Sequence, residues 1–74
     1  MNELTYMITA GLSDRPVSMK ESFEAALDFC AARYYPEEIL GLIVEIHTLK
    51  GDEELEIFNS MDLYHELRCS GRYD

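Results

Sequence analysis

At 74 residues the chain has room for one domain and one core, and so small a core yields only ~3–5 kcal/mol of net stability, little from which to sustain a strained, water-excluding catalytic pocket. The net charge of −9, from fifteen Asp and Glu against six Lys and Arg, repels phosphates, so direct binding to DNA, RNA or an anionic membrane is not expected and a basic partner is favoured. A hydrophobic content of 47%, with five tyrosines and three phenylalanines, excludes a disordered chain.

The first element is a strand. Leu4, Tyr6, Ile8 and Ala10 alternate with Glu3, Thr5, Met7 and Thr9, a period of two. Gly11 ends it and Ser13-Asp14-Arg15-Pro16 reads as a loop. Ser18-Met19-Lys20-Glu21 fits a capping box, with a helix following. Phe23, Ala26, Leu27, Cys30, Ala31 and Tyr34 make one apolar stripe on that helix, and Glu21, Glu24 and Asp28 take the opposite face. Pro36 stops it near Tyr35.

The stretch from Ile39 to Leu49 is apolar, then alternating, and rich in β-branched residues, which predicts a strand. Leu40, Leu42, Val44 and Ile46 share one face; Ile43, Glu45, His47 and Leu49 share the other. Lys50-Gly51-Asp52-Glu53 turns the chain into a second hairpin strand, where Leu55 and Ile57 alternate with Glu54 and Glu56. The more apolar strand belongs at the centre of the sheet and the acidic one at a protected edge. Asn59 or Ser60 caps a last short helix, with Met61, Tyr64 and Leu67 or Arg68 inward and Gly71 as its stop. The expected fold is a single α+β domain over 1–74, β-α-β-β-α, with a three-stranded sheet and helices packed mainly on one face. The first crossover is expected to be right-handed and to join parallel strands.

Two cysteines, Cys30 and Cys69, do not make a disulfide framework. The beginning, Met1-Asn2-Glu3-Leu4, is acidic, and the longest apolar run, Ile39 to Val44, is too short to span a bilayer. A cytoplasmic protein with reduced thiols and no signal peptide is therefore expected.

The strongest functional signal is a cluster of acids. Glu45, Asp52, Glu53, Glu54 and Glu56 fall on the hairpin, and Asp62 and Glu66 on the helix after it. Alternate strand residues such as Glu54 and Glu56 project to one side at ~6.8 Å, and Asp62 and Glu66 lie one helical turn apart at ~5–6 Å. Rows of carboxylates at such spacings imitate nucleic-acid phosphates and suit a groove lined by Lys and Arg; the plainer reading is a set of solvated faces that guard an edge strand. Tyr6 and Tyr34 fit the core stripes, whereas Tyr35 and Tyr73 are expected to be exposed, and an exposed Tyr35 beside carboxylates suits a binding hot spot.

Other chemistry is weaker. His65 and Cys69 are four apart on a helix, and His47 or Cys30 could approach them, but no C-x-x-C pair is present for a structural zinc. Glu45 and His47 share a strand face and His65 adjoins Glu66, possible acid–base pairs. There is no glycine-rich phosphate loop, nucleophile elbow or HExxH. No cofactor, no metal and no enzymatic activity are expected.

In size, acidity and compact α/β make-up the chain resembles the small inhibitor proteins that phages and other mobile elements direct against host defences, the anti-CRISPR and anti-restriction proteins. The residues that carry the likeness are Gly51-Asp52-Glu53-Glu54-Leu55-Glu56 and the helix face of Asp62 and Glu66. The resemblance implies a stoichiometric inhibitor and nucleic-acid mimic that fills the basic channel of a protein or nucleoprotein in the host cytoplasm. Arg15, Lys20 and Arg33 make the first third less acidic, so only one side is mimic-like. The alternative expectation is a structural or regulatory module that forms a homodimer through a sheet edge or the apolar side of the short helix, its charge serving solubility.

Overall fold

The computed structural model describes residues 3–11 and 15–73. Its sheet has four antiparallel strands in the order β2-β1-β3-β4, with β1 at Thr5–Ala10, β2 at Ser18–Lys20, β3 at Val44–Lys50 and β4 at Glu53–Phe58. The helices are α1, Phe23–Arg33, and α2, Pro36–Gly41, between β2 and β3, and α3, Ser60–Cys69, after β4. The α+β class holds, as do the central place of β3 and the edge position of β4.

The sheet has one strand more than expected. Ser18-Met19-Lys20 pairs with Ile8-Met7-Tyr6 instead of capping a helix, and the Val17 N–H donates to the Ile8 carbonyl at 2.7 Å. The cap is Ser22, whose hydroxyl accepts from the Ala25 N–H at 3.1 Å. The added strand also reverses the topology. β1 and β3 run antiparallel, not parallel, because β2 has already turned the chain once. The crossover through α1 and α2 joins β2 to β3, which point the same way with β1 between them.

The predicted strand from Ile39 also starts later. Pro36 ends α1 and then occupies the first turn of α2, where its fixed φ suits a helix and its missing N–H costs nothing. The Glu38 carboxylate accepts from the Tyr35 N–H at 2.8 Å and secures the start of α2. Ile39 is thereby buried in the core, whereas Leu40 and Leu42 are exposed, contrary to a shared strand face with Val44. Ile43 turns the chain into β3 with a φ of 53°, a conformation that costs a β-branched residue ~1–2 kcal/mol.

One face of the sheet carries the core. Ile8, Val44 and Ile46 are fully buried beneath Ala26, Leu27 and Cys30 of α1, Ile39 of α2, and Leu63 and Leu67 of α3. Each large apolar side chain contributes ~1.5–3 kcal/mol of gross burial free energy. The predicted stripe of α1 is the one observed. That of α3 holds in part: Leu67 is buried and Tyr64 packs against the core, but Leu63 points inward where Met61 was expected, Met61 being 73% exposed and Arg68 exposed. Asn59 sets this phase by accepting from the Asp62 N–H at 2.8 Å.

Alternate residues on the opposite face, among them Met7, Thr9, Met19, His47 and Ile57, are half-buried or exposed. After α3 the chain closes with Gly71 N–H to Arg68 carbonyl and Arg72 N–H to Leu67 carbonyl bonds, at 3.2 and 3.1 Å. Arg72 then reaches Asp28 at 2.7 Å and Glu24 at 3.0 Å on α1. Tyr73, expected at the surface, is half-buried instead, its hydroxyl donating to the Tyr34 carbonyl at 2.7 Å. Among the described residues, no helix is long and apolar enough to cross a membrane.

Candidate functional site

The hairpin of β3 and β4 turns on two residues, Gly51 and Asp52, between the cross-strand partners Lys50 and Glu53. Gly51 takes a φ of 64°, and a positive φ at only the first turn residue is the mark of a type II′ connection. Asp52 and Glu53 stand exposed at its tip.

A bulge then rearranges the acids. Thr48 pairs with Glu56 but Leu49 pairs with Glu54, so the register slips by one and Leu55 has no partner. Directly paired residues share a face. Glu54 therefore joins His47 and Leu49 on the face away from the helices, and Glu56 stands on the helix side with Thr48. The expected single row of Glu54 and Glu56 is split between the two sides of the sheet.

On the open face His47 links three strands. Its Nδ1 lies 2.6 Å from Glu54 Oε1 on β4, and its Nε2 lies 3.2 Å from Thr9 Oγ1 on β1 and 3.7 Å from Glu45 Oε1 on its own strand. Because a carboxylate only accepts, Nδ1 carries the proton that is shared with Glu54. The order hydroxyl, imidazole, carboxylate is that of an acyl-transfer triad. Here the hydroxyl is that of Thr9, which stands opposite Glu45 in the β1–β3 ladder. The arrangement acts as a clamp that ties β1, β3 and β4 together and holds Glu45 and Glu54 beside one imidazole.

The helix side of the same edge has a different floor. A groove of about 410 Å³ runs beside β4, lined by Tyr6, Phe23, Leu55 and Phe58 with Thr48 and Glu56. The Phe23 ring meets Phe58 edge-on at 5.2 Å and Tyr6 at 5.9 Å, the offset geometry that aromatic quadrupoles favour.

The structure thus brings Glu45 and Glu54 together at His47, leaves Asp52 and Glu53 at the hairpin tip, and sets Glu56 on the helix side of the sheet. It does not bring the remaining candidates to them. Asp62 lies in the first turn of α3, beyond the far end of β4 from the hairpin tip, ~20 Å for a strand of six residues. Glu66, half-buried, is one turn further along. Tyr35 is 72% exposed but adjoins Tyr34, which shares a groove with Ala10, Leu42 and Ile43 at the end of the sheet where β3 begins.

The other chemical groups are occupied. Burial pushes the Cys30 thiol up to about 12, which removes it as a nucleophile at neutral pH. Burial, followed by the neighbouring Cys30, Glu38 and Glu37, pushes the Tyr73 hydroxyl up to about 12. Cys69 Sγ lies 3.3 Å from His65 Nε2. Among the described residues no group of three or more His, Cys, Asp or Glu is arranged to hold a metal ion.

Sequence reasoning placed Glu45 and His47 on one face but missed Thr9, the bulge at Leu55 and the aromatic groove. A faint signal was present: Ile57 and Phe58 are adjacent and both apolar, so the two sides of β4 each present an apolar residue. Set against known proteins, the chain matches no family model, no curated protein and no solved structure.

Proposed function

We propose that the chain is a non-enzymatic binding module that engages a basic protein surface through its acidic hairpin. One observation carries the reading: β4 is an edge strand in which every residue from Glu53 to Ile57 is exposed, three of the five being glutamates. Carboxylates in this setting form charge-assisted bonds with Arg and Lys without the cost of leaving a buried core. With a net charge of −9, the molecule steers toward cationic partners, and association weakens as salt rises. Many basic protein surfaces exist to hold nucleic acid, so an inhibitor of a nucleoprotein, acting by phosphate mimicry in the manner of anti-CRISPR and anti-restriction proteins, is the biological form this reading takes. Its surface is the hairpin, Glu45 and Asp52 to Glu56, and not α3.

The test changes Glu53, Glu54 and Glu56 together to Gln. Basic proteins captured from a lysate by the immobilised wild-type chain should be displaced by duplex DNA. Their purified representatives should bind the triple variant at least ~10-fold more weakly, with a flatter dependence on salt. Equal affinity and an equal salt slope for the variant would remove the proposal.

A second reading, the homodimer, draws on the α2–β3 corner, where Leu40, Leu42 and Ile43 are 42%, 44% and 50% exposed side by side. A dimer joined there survives high salt in sedimentation equilibrium, since burial of apolar area is not screened.

A further inference from the structure

The free edge of β4 and the aromatic groove beside it form one continuous surface, and this surface specifies how a basic partner binds. An edge strand offers unpaired backbone N–H and C=O groups to any extended chain. On β4 they are flanked by carboxylates on both sides of the sheet, since the bulge sends Glu54 to the open face and Glu56 to the helix side. A second copy of this chain is a poor occupant, because pairing β4 with β4 sets rows of glutamates against each other. A cationic strand has the opposite balance: its side chains alternate between the faces and meet a carboxylate on either one.

The groove adds a shape. Phe23, Phe58 and Leu55 give it an apolar floor and Glu56 stands at its margin. A long side chain with an apolar stem and a charged head fits that combination, the methylenes lying on the rings and the head group reaching the carboxylate. We propose that an extended cationic segment of a protein partner adds to β4 as a fifth strand, with one of its arginine or lysine side chains seated in the groove against Glu56. This inference rests on the reading of the chain as a binder of basic protein and supplies the recognition mode.

The experiment uses the full chain and two synthetic peptides of equal charge. One alternates arginine and valine; the other has the same sequence with alternate backbone amides N-methylated, which blocks strand addition and leaves the charge intact. By calorimetry the methylated peptide should bind at least ~10-fold more weakly, and only the unmethylated peptide should slow amide hydrogen exchange in β4. Glu56→Gln should weaken the unmethylated peptide several-fold. Glu37→Gln, the same loss of charge at an exposed site on α2, should leave it within about two-fold. Equal binding of both peptides, unaltered exchange in β4, or equal effects of the two Gln variants would overturn strand addition while the binding of basic protein stands. No binding of either peptide at low salt would overturn both.

Discussion

β3 and β4 are the two arms of one hairpin, yet they do opposite work. β3 has a partner on each side and buries Val44 and Ile46 completely; β4 has one partner and leaves Glu53 to Ile57 exposed. Both arms are rich in apolar residues, Val, Ile and Leu in one and Leu, Ile and Phe in the other, so apolar content alone does not separate them. Position in the sheet does: the central arm is committed to the core, and the edge arm is free to carry charge. Two isoleucines offer the most direct way to break this contrast. Ile46→Ala opens a void in the core beneath the helices and should cost about 4 kcal/mol. Ile57→Ala, from a residue 47% exposed, should cost under about 1 kcal/mol. Urea denaturation of the two variants measures the difference; equal losses would mean that β4 is covered as deeply as β3.

The covered side can be probed next by pH, because two of its groups, Cys30 and Tyr73, are held in their neutral forms. The thiol is pushed up from 9.0 to about 12, and the phenol from 10.0 to about 12. A raised folded pKa means that the folded chain holds its proton more tightly than the unfolded chain. Well below pH 9 both states are protonated and the full stability is present. Between the ordinary value and about 12 the unfolded chain ionises first, and stability is lost as pH rises. Cys30 accounts for a fall on the order of 4 kcal/mol across that window. The urea midpoint measured at steps from neutral to strongly alkaline pH should decline through it. Cys30→Ala should start lower but decline less, and a variant that declines as steeply as wild type would refute the assignment.

How much of this was written visibly in the chain depends on element length. α1 repeats its 3.6-residue pattern over eleven residues, and its stripe was legible in full. β2 has three residues, too few for any period, and its Ser18 also satisfies the sequence pattern of a capping box. Only the register against β1 decides between the two, and that is a tertiary fact. Missing β2 also inverted the expected direction of β3. Pro36 was read as a stop because it is one for α1, while Glu37 and Glu38 behind it are the first turn of a new helix.

At the candidate site the individual acids and the edge position of their strand were legible. Their arrangement was not, since a single unpaired residue, Leu55, changes which side Glu54 faces and no local preference announces it. The link from His47 to Thr9 spans 38 residues of sequence and depends on the same register.

Two glycines sharpen the contrast between the ends of the hairpin at smaller cost. Gly51 sits at its open tip with a φ of 64°, and a Cβ added there meets nothing within 4 Å. Gly51→Ala should therefore cost only the strain of its positive φ, about 1 kcal/mol. Gly11 has nearly the same φ, 61°, but lies where β1 meets the entry to β3, its N–H donating to the Ile43 carbonyl at 3.2 Å. A Cβ there comes within 3.1 Å of the Leu42 carbonyl oxygen, a backbone atom that cannot swing aside. Gly11→Ala should cost about 2 kcal/mol, the same strain plus the displacement of the segment that feeds β3. Equilibrium unfolding ranks the pair. A larger loss at Gly51 than at Gly11 would mean that the tip, and not the entry to the central strand, is the constrained end of the hairpin.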